Sequence, residues 1–236
     1  MDTKELIYNE SLIRQKIYPF NSPLRLTLED DFFTKAAVVF SIIPYENKPY
    51  ELILIHRSDK GIRHRGEMSF PGGKFDPQFD TSLRDTALRE TEEEIGVPRK
   101  LVKIIGCLDD FPTMTQFIIT PFIGIIDKNQ ALIRDEREVQ KILKIPIDFF
   151  TSKSNFREQA IDIEDKKFPI FYFNYIDHET GQKYTVWGAT AYMISTFLEK
   201  IYGLTISTLG LERFKIEKIK DLKDYIKYRN KITSNF

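Results

Sequence analysis

Apolar residues follow two different spacings along this chain, and the two spacings predict a mixture of strands and helices. Residues 36–45 are almost all apolar, which is typical of a strand that is buried on both faces. Residues 50–56 form a second run of this kind, and the polar turn at 46–49 between the two runs indicates a hairpin. Residues 188–202 instead repeat their apolar side chains with helical spacing, so we expect a helix with a buried face there.

Another helix is predicted in the middle of the chain, between two clear boundary signals. Thr81 and Ser82 offer side chains that can cap its first turn, and Gly96, followed by Pro98, is typical of a helix C-terminus. The side chains that we expect on the apolar face are Leu83, Ala87, Leu88, Thr91 and Ile95. The glutamates of this helix are expected on the opposite side.

The remaining patterns predict further strands and helices on both sides of this central helix. The predicted strands are 101–108, 117–126, 170–176 and 183–187, and a turn at 178–181 joins the last two. The predicted helices are an N-terminal helix over 4–17, a short helix over 136–143 and a basic amphipathic helix over 212–231. Strands and helices interleave without strict alternation, so we predict a mixed α/β (α+β) fold with a sheet between helices. The number of strands favours two sheets.

Composition narrows the classes of function. The chain has 236 residues with 35 basic and 35 acidic side chains, so its formal net charge is zero and gives no general attraction to nucleic acid polymers. No apolar run is long enough to span a bilayer, and residues 1–5 show no secretory pattern, so we expect a cytoplasmic protein without a membrane partner. The single cysteine, Cys107, lies in an apolar run and is predicted to be a buried structural thiol.

The central helix carries three carboxylates that share one face. Glu90, Glu93 and Glu94 are spaced i, i+3 and i+4, and like charges at this spacing destabilise a helix by roughly a few tenths of a kcal/mol per pair. A hard divalent cation with oxygen ligands offsets this repulsion directly. Mg²⁺ or Mn²⁺ at this position suits the cleavage of a phosphoanhydride, because metal ions neutralise phosphate charge and activate water.

Two features beside the carboxylates support this interpretation. Gly72 and Gly73 let the backbone come close to the helix and present N–H groups to anions. Arg89 precedes Glu93 by one turn and can orient that carboxylate through a charge-assisted hydrogen bond. A glutamate-rich surface helix is the alternative, but the ordered set of glycine pair, helix and Arg-Glu-x-x-Glu-Glu-x-Gly favours a metal site.

This stretch resembles the Nudix box, whose second half reads Arg-Glu-apolar-x-Glu-Glu-x-Gly-apolar. The matching residues are Arg89, Glu90, Glu93, Glu94, Gly96 and Val97, with Thr91 at the first apolar position. The first half departs from the pattern, because Thr81 stands where the family has Glu and the spacing from Gly73 to Arg89 is two residues longer.

The residues upstream resemble one branch of this family, the coenzyme A pyrophosphatases. That branch carries Arg-Ser, then His-x-Gly-Glu, then Phe-Pro-Gly-Gly with Asp-Pro following, and this chain has these residues at 57–58 and 64–77. Residues 187–191 (Trp-Gly-Ala-Thr-Ala) also fit the branch. The chain departs from it at 61–62, where Gly-Ile replaces the usual Leu-Arg, and at Gln116, where glycine is usual. The resemblance covers roughly residues 33–202.

The resemblance implies a Nudix fold, dependence on Mg²⁺ or Mn²⁺, and hydrolysis of coenzyme A at its diphosphate to 3′,5′-ADP and 4′-phosphopantetheine. It implies Glu90 and Glu94 as the first metal ligands, with Glu93 either a further ligand or held by Arg89. The general base is one of these glutamates or a carboxylate from a distant loop, for which Glu138 is the candidate. The catalytic residues are therefore expected among Glu90, Glu93, Glu94, Arg89 and Glu138.

The 3′-phosphate of coenzyme A requires basic partners. The substrate-binding residues predicted on this basis, together with the glycine pair, are Arg57, Arg63, His64, Arg65, Gly72 and Gly73. Phe111, Phe117 and Trp187 could stack on an adenine, although aromatic residues in apolar runs more often belong to a core.

Three segments are predicted: an N-terminal helical extension over 1–32, a Nudix domain over 33–205 and a basic helical extension over 206–236. The predicted partner is a small-molecule nucleotide substrate similar to coenzyme A, and a homodimer stays open. One alternative function is hydrolysis of another nucleoside diphosphate derivative (ADP-ribose, a dinucleotide or a dinucleoside polyphosphate), which the departures at 61–62 and Gln116 motivate. The other is a catalytically silent Nudix protein that senses such a ligand, against which the intact glutamates argue.

Overall fold

The structure is a computed structural model, which describes residues 6–58, 66–163, 166–207, 222–224 and 226–227. The strands are β1 (Thr34–Ile43), β2 (Glu51–Arg57), β3 (Met68–Ser69), β4 (Gly72–Lys74), β5 (Lys103–Cys107), β6 (Phe111–Pro112), β7 (Phe117–Ile125), β8 (Val139–Pro146), β9 (Phe156–Ile163), β10 (Lys166–Ile176) and β11 (Lys183–Trp187). The helices are α1 (Glu10–Lys16), α2 (Leu83–Ile95) and α3 (Gly188–Tyr202). Short 3₁₀ helices follow α2 (Arg99–Leu101) and β8 (Ile147–Thr151 and Lys153–Asn155).

In the described part of the chain, eight strands form one mixed sheet around β1. This strand pairs antiparallel with β2 and β4 and parallel with β7. The strands β5 and β6 pair with β7, and β3 and β8 pair with β2, all antiparallel. The predicted hairpin is formed by β1 and β2, with Ser41 opposite Ile53. The short strand β4 holds Gly72 and Gly73 against β1, opposite Val38 and Ala37.

Helices cover both faces of this sheet, which confirms the predicted sandwich. The apolar run of β1 is nearly continuous because its alternate side chains serve two cores. Phe40 lies in the first core, which also contains Ile13 of α1 and the buried face of α3. Val39 lies in the second core, to which α2 contributes Ala87 and Ile95.

A second sheet of three antiparallel strands packs against α3, as the number of predicted strands suggests. β10 lies between β9 and β11. Phe171 and Phe173 of β10 point into the first core, whereas Tyr172 between them stacks on Trp187 of β11. The sequence did not predict β9, because half of its residues are polar and its pairing with β10 makes it a strand.

The predicted short helix over 136–143 is wrong. Residues 139–146 form β8, which pairs antiparallel with β2 from Glu51 opposite Pro146 to Arg57 opposite Val139. Short apolar runs do not distinguish helix from strand by themselves, and here the backbone of β2 supplies hydrogen bonds that favour the strand. This pairing places residue 138 beside the end of β2.

The regions before β1 and after α3 pack in two different places. α1 is shorter than the predicted helix over 4–17, and the Asn9 side chain caps it by accepting a hydrogen bond from the Leu12 N–H at 3.0 Å. Residues 222–224 and 226–227 are helical, and the rest of the predicted helix over 212–231 lies outside the described residues. An apolar cluster joins these residues to the N-terminal region and comprises Leu28, Phe33, Ile118, Leu222 and Ile226.

The structure bears on the predictions for Cys107 and for membrane-spanning segments. Cys107 is buried, as expected, and burial raises the pKa of its thiol to about 11. Among the helices of the described residues, none combines the length and the apolar character that crossing a membrane requires.

Candidate active site

The central helix α2 begins and ends as the sequence predicts. The Ser82 side chain accepts a hydrogen bond from the Asp85 N–H at 3.2 Å. Gly96 ends the helix in the left-handed conformation with a φ of 70°, and its N–H donates to the Glu92 carbonyl at 3.0 Å. These caps, together with the buried Ala87 and Ile95, fix the rotation of α2 about its axis, so residues 90 and 94 face β4.

Glu94 lies at the base of the site and has no exposed surface. One carboxylate oxygen accepts a hydrogen bond from the Arg57 guanidinium at 2.8 Å, and the other accepts from the backbone N–H of Gly72 at 2.8 Å. Burial raises the pKa of this carboxyl to about 8, although the Arg57 charge and the Gly72 N–H act against the rise. The expectation that all glutamates of α2 lie opposite its buried side is therefore wrong for Glu94.

The two glycines of β4 serve the two glutamates in different ways. The Gly72 N–H binds the Glu94 carboxylate, whereas the glycine pair is predicted from the sequence to present its N–H groups to anions. Gly73 leaves the space that Glu90 occupies, since a Cβ atom at residue 73 would lie 2.4 Å from Cδ of Glu90. Burial raises the pKa of the Glu90 carboxyl, and the nearby Arg89 guanidinium partly offsets that rise.

Arg89 connects three carboxylates. Its Nε and Nη2 donate to the two carboxylate oxygens of Asp80 at 2.8 Å and 3.0 Å. Its Nη1 lies 2.9 Å from the Glu93 carboxylate, which confirms the predicted pair, and 2.8 Å from that of Glu90. Asp80 was not identified from the sequence, although it directly precedes Thr81, the position at which the family pattern has Glu. A search for any carboxylate near this position would have found it.

Replacing Asp80 with Asn is expected to destabilise the fold by about 3 kcal/mol, because it removes the buried charge partner of Arg89. Urea denaturation at pH 7 measures the change. Glu93→Gln is the matched control, since the Glu93 side chain is 54% exposed and pairs with the same guanidinium. We expect the control to lose less than about 1 kcal/mol. Equal losses in the two variants would contradict the anchoring role of Asp80.

The same pair predicts a dependence of stability on pH. The Arg89 guanidinium lowers the pKa of Asp80 to about 2 in the folded protein, below the value of about 3.9 for an unfolded chain. A lowered pKa in the folded state means that the stabilisation is present above about pH 4 and is lost as the pH falls towards 2. As the pH falls from about 5 to about 2, the Asp80→Asn variant should therefore lose less stability than the unmodified protein.

Three carboxylates converge beside β4. One oxygen from each of Glu90, Glu94 and Glu138 lies within 4.8 Å of the others. Glu138 is the exposed member and lies just before β8, where its carbonyl accepts a hydrogen bond from the Ser58 N–H at 2.8 Å. Within the described residues, Glu93 is not part of this cluster, because it faces Arg89 instead.

This set of donors fits a hard divalent cation. All three offer carboxylate oxygens, the ligands that Mg²⁺, Mn²⁺ and Ca²⁺ prefer. The burial that raises the pKa of Glu94 to about 8 also indicates that its charged form needs more positive charge than Arg57 supplies. Glu90, Glu94 and Glu138 are therefore the residues that would hold a metal ion.

A cleft of about 440 Å³ opens beside these carboxylates. Arg57, Gly72 and Gly73 line it and also contact Glu94 or Glu90, so the cleft and the carboxylate cluster are continuous. The three aromatic residues that are candidates for stacking on an adenine also line it, namely Phe111, Phe117 and Trp187. The remaining predicted substrate-binding residues, Arg63, His64 and Arg65, lie outside the described residues.

Sequence reasoning missed one wall of the cleft. Ala189, Tyr192 and Met193 of α3 line it, and they are spaced i, i+3 and i+4 on one face of that helix. The apolar spacing of α3 predicts a face buried in the core and does not by itself predict a role in the cleft. Met193 belongs to the first core and Ala189 and Tyr192 pack against it, so this face of α3 lies where the core borders the cleft.

Comparison with known proteins identifies the family. The NUDIX domain model matches residues 35–154, which is just over half of the chain and includes β4, α2 and Glu138. The chain belongs to the Nudix family. The Nudix fold and the Nudix hydrolase class predicted from the sequence are thereby confirmed.

The relatives of this Nudix chain include proteins from animals, plants and bacteria. The peroxisomal coenzyme A diphosphatase of Mus musculus is 32% identical over 157 residues, which is 66% of each chain. The mitochondrial Nudix hydrolase 15 of Arabidopsis thaliana is 36% identical over 66% of this chain and 55% of that protein. The Nudix hydrolase NudL of Photorhabdus laumondii is 29% identical over 68% of this chain and 82% of that protein. The matched segment is thus about two thirds of the mouse protein and about half of the plant protein.

Proposed function

We propose that this Nudix hydrolase cleaves the diphosphate of coenzyme A or its derivatives to 3′,5′-ADP and 4′-phosphopantetheine. The observation that carries the proposal is the convergence of Glu90, Glu94 and Glu138 beside a cleft that Arg57 also lines. The choice of coenzyme A is supported by the 32% identity to a protein named as a coenzyme A diphosphatase. The match of residues 64–77 to the coenzyme A pyrophosphatase branch supports the same substrate.

The side chains around the carboxylates hold them in place before substrate binds. A Mg²⁺ or Mn²⁺ ion held by Glu90, Glu94 and Glu138 would neutralise phosphate charge and lower the pKa of water. Arg57 and the Gly72 N–H fix the orientation of Glu94. Arg57 also lines the cleft, so its guanidinium can donate a charge-assisted hydrogen bond to a substrate phosphate.

Glu138 is the carboxylate that we assign as general base. It is the exposed member of the cluster, so it can reach a water molecule at the edge of the cleft. Glu94 is buried with both oxygens hydrogen-bonded, and Glu90 pairs with Arg89, so neither is as well placed to accept a proton. The water that attacks phosphorus would give its proton to Glu138.

The backbone of the loop before β7 weakens one of the two arguments for the alternative substrates, the one that rests on Gln116. Gln116, at the position where glycine is usual in the branch, has a φ of 66°. Few residues other than glycine adopt this left-handed conformation. The loop therefore keeps the backbone shape that glycine favours, and the replacement changes only the side chain. The other departure, at 61–62, lies outside the described residues.

The substrate can be tested with one panel. We would incubate the protein with Mg²⁺ or Mn²⁺ and coenzyme A, acyl derivatives, ADP-ribose, NADH or diadenosine polyphosphates, and identify products by mass spectrometry. We expect coenzyme A or an acyl derivative to give the highest kcat/KM, with 3′,5′-ADP as the common product. A higher kcat/KM for ADP-ribose or a dinucleotide would favour the alternative enzyme. Binding without cleavage of any compound would favour a sensor.

The cytoplasmic location, the homodimer and the boundaries at residues 32 and 205 stay predictions. The names of two relatives place them in peroxisomes and mitochondria, so fractionation of cells that express this protein is the direct measurement.

A further inference from the structure

The C-terminal end of α2 holds the segment that leads into β8. The last carbonyl groups of a helix have no partner within that helix, so they are free to accept hydrogen bonds from elsewhere. The Glu94 carbonyl accepts from the Asp135 N–H at 3.1 Å, and the Ile95 carbonyl accepts from the Ile133 N–H at 2.9 Å. Gly96 allows this approach, because a Cβ atom there would lie 2.8 Å from the Ile133 carbonyl oxygen. The start of the segment is therefore fixed to the helix that carries two of the three clustered carboxylates.

Asp135 closes a turn directly before Glu138. Its carbonyl accepts hydrogen bonds from the N–H groups of Glu138 at 3.1 Å and Val139 at 2.8 Å. Its carboxylate accepts from the Arg137 N–H at 2.9 Å and from Nε of the same arginine at 3.0 Å. A side-chain oxygen that binds the N–H two residues further on stabilises a turn as a backbone carbonyl does. One aspartate thus fixes the path by which the chain leaves α2 and reaches Glu138.

Hydrogen bonds join Glu138 to Glu94 along two routes. One route runs from the Glu94 carbonyl through Asp135 to the Glu138 N–H. On the other route, the Arg57 guanidinium donates to the Glu94 carboxylate at 2.8 Å. The next residue, Ser58, donates its N–H to the Glu138 carbonyl at 2.8 Å. The two routes form a ring that holds the backbone of Glu138 by both of its polar groups, although the side chain is exposed.

We propose that Asp135 is a positioning residue, which holds Glu138 beside Glu94 through the turn that it closes. This role rests on the function proposed for Glu138 above, as general base and as one of the carboxylates that would hold a metal ion. It does not depend on which diphosphate is the substrate. Functional groups must be held within about 0.5 Å of their productive geometry, so a looser turn lowers turnover without removing a carboxylate of the cluster.

A double-mutant cycle separates positioning from a general loss of structure. Asp135→Ala is expected to lower kcat about tenfold and to keep KM within about twofold, whereas Glu138→Gln lowers kcat about 100-fold. If Asp135 acts through Glu138, the double variant should be no slower than Glu138→Gln alone, because the group that is misplaced is already inactive. The substrate for the cycle is whichever compound of the panel above the unmodified protein cleaves fastest.

Two further variants test whether the turn is the cause. Asp135→Asn keeps a side-chain oxygen that can accept from the Arg137 N–H, so it should restore most of the turnover that Asp135→Ala loses. Asp127→Ala is the matched control, since the Asp127 carboxylate closes a similar turn by accepting from the Asn129 N–H at 2.8 Å and is not a member of the carboxylate cluster. We expect this control to keep the kcat of the unmodified protein.

Amide hydrogen exchange in EDTA gives a measurement that needs neither metal nor substrate. The N–H groups of residues 137–139 should exchange about tenfold faster or more in Asp135→Ala than in the unmodified protein, whereas those of β5 should not change. Titration with Mn²⁺, followed by calorimetry, gives a second measurement. Its affinity should fall about tenfold in Asp135→Ala, because a carboxylate of the cluster is no longer held in place.

The outcomes distinguish this inference from the proposed reaction. Losses of turnover that add in the double variant, or an Asp135→Asn variant as slow as Asp135→Ala, would overturn the inference. Unchanged amide exchange in Asp135→Ala would overturn it too. Cleavage of a compound other than coenzyme A would overturn the proposed substrate and leave the cycle valid. If no compound is cleaved, the proposed reaction fails, and amide exchange and Mn²⁺ affinity together decide whether Asp135 positions Glu138.

Discussion

Replacing Glu94 with Gln is expected to lower metal-dependent turnover by about 1,000-fold, because the change removes the most buried carboxylate of the candidate metal cluster. The fold should survive. The amide oxygen can still accept the hydrogen bond from the Gly72 N–H, and the variant no longer buries a group whose pKa burial has raised to about 8. Initial rates at several Mg²⁺ concentrations and a thermal melt measure the two effects.

The control for Glu94→Gln is Glu92→Gln on the same helix. Glu92 has a 43% exposed side chain, and it pairs with Arg99 on the surface, away from the cluster. This variant should keep its turnover within about twofold. Mn²⁺ should raise the melting temperature of the control and of the unmodified protein but not that of Glu94→Gln, since an ion that binds only the folded state stabilises it. Full activity in Glu94→Gln would refute the assignment of Glu94 as a metal ligand.

Gly73→Ala is expected to reduce kcat/KM by about 100-fold with little loss of stability. A Cβ atom at this position would lie 2.4 to 2.6 Å from the carboxylate atoms of Glu90, so that carboxylate must move by about an ångström or more. The moving atoms are the end of a flexible side chain, so the backbone of β4 can stay where it is. Mn²⁺ affinity, measured by calorimetry, should fall together with activity.

Gly181→Ala provides the comparison for this second variant. Gly181 lies in the turn between β10 and β11, where an added Cβ would contact nothing within 4 Å. Its φ of 70° makes alanine unfavourable there by about 1 kcal/mol, so this variant should lose stability but keep its affinity for Mn²⁺. The opposite pattern, with stability lost in Gly73→Ala and metal affinity unchanged, would show that Gly73 serves the fold rather than Glu90.

Local signals in the sequence were sufficient for the scaffold of the site. Ser82 and Gly96 mark the ends of α2 because capping is a property of a few neighbouring residues. The i, i+4 spacing of Glu90 and Glu94 places both carboxylates on one face of α2 for the same reason, since helical geometry is local. The hairpin of β1 and β2 also follows from two apolar runs and one turn.

Contacts between distant parts of the chain could not be predicted in this way. Residues 136–143 have a pattern that fits a short helix, and only the edge of β2 makes them part of β8. Burial of Glu94 depends on Arg57, which is 37 residues away in sequence. Asp80 pairs with Arg89 from a loop nine residues earlier, and the spacing of the two residues does not correspond to a helical pair. Leu222 enters the cleft through packing with Leu28, Phe33 and Ile118, which no local signal indicates.

The packing of Leu222 has a consequence for the order in which the enzyme matures on the ribosome. Synthesis proceeds from the N-terminus, so Glu90, Glu94 and Glu138 are made well before residue 222. A nascent chain that ends before this residue already contains all three carboxylates but lacks a residue that lines the cleft. The residues of the carboxylate cluster would thus be complete before the lining of the cleft, and translation of the last segment would complete that lining.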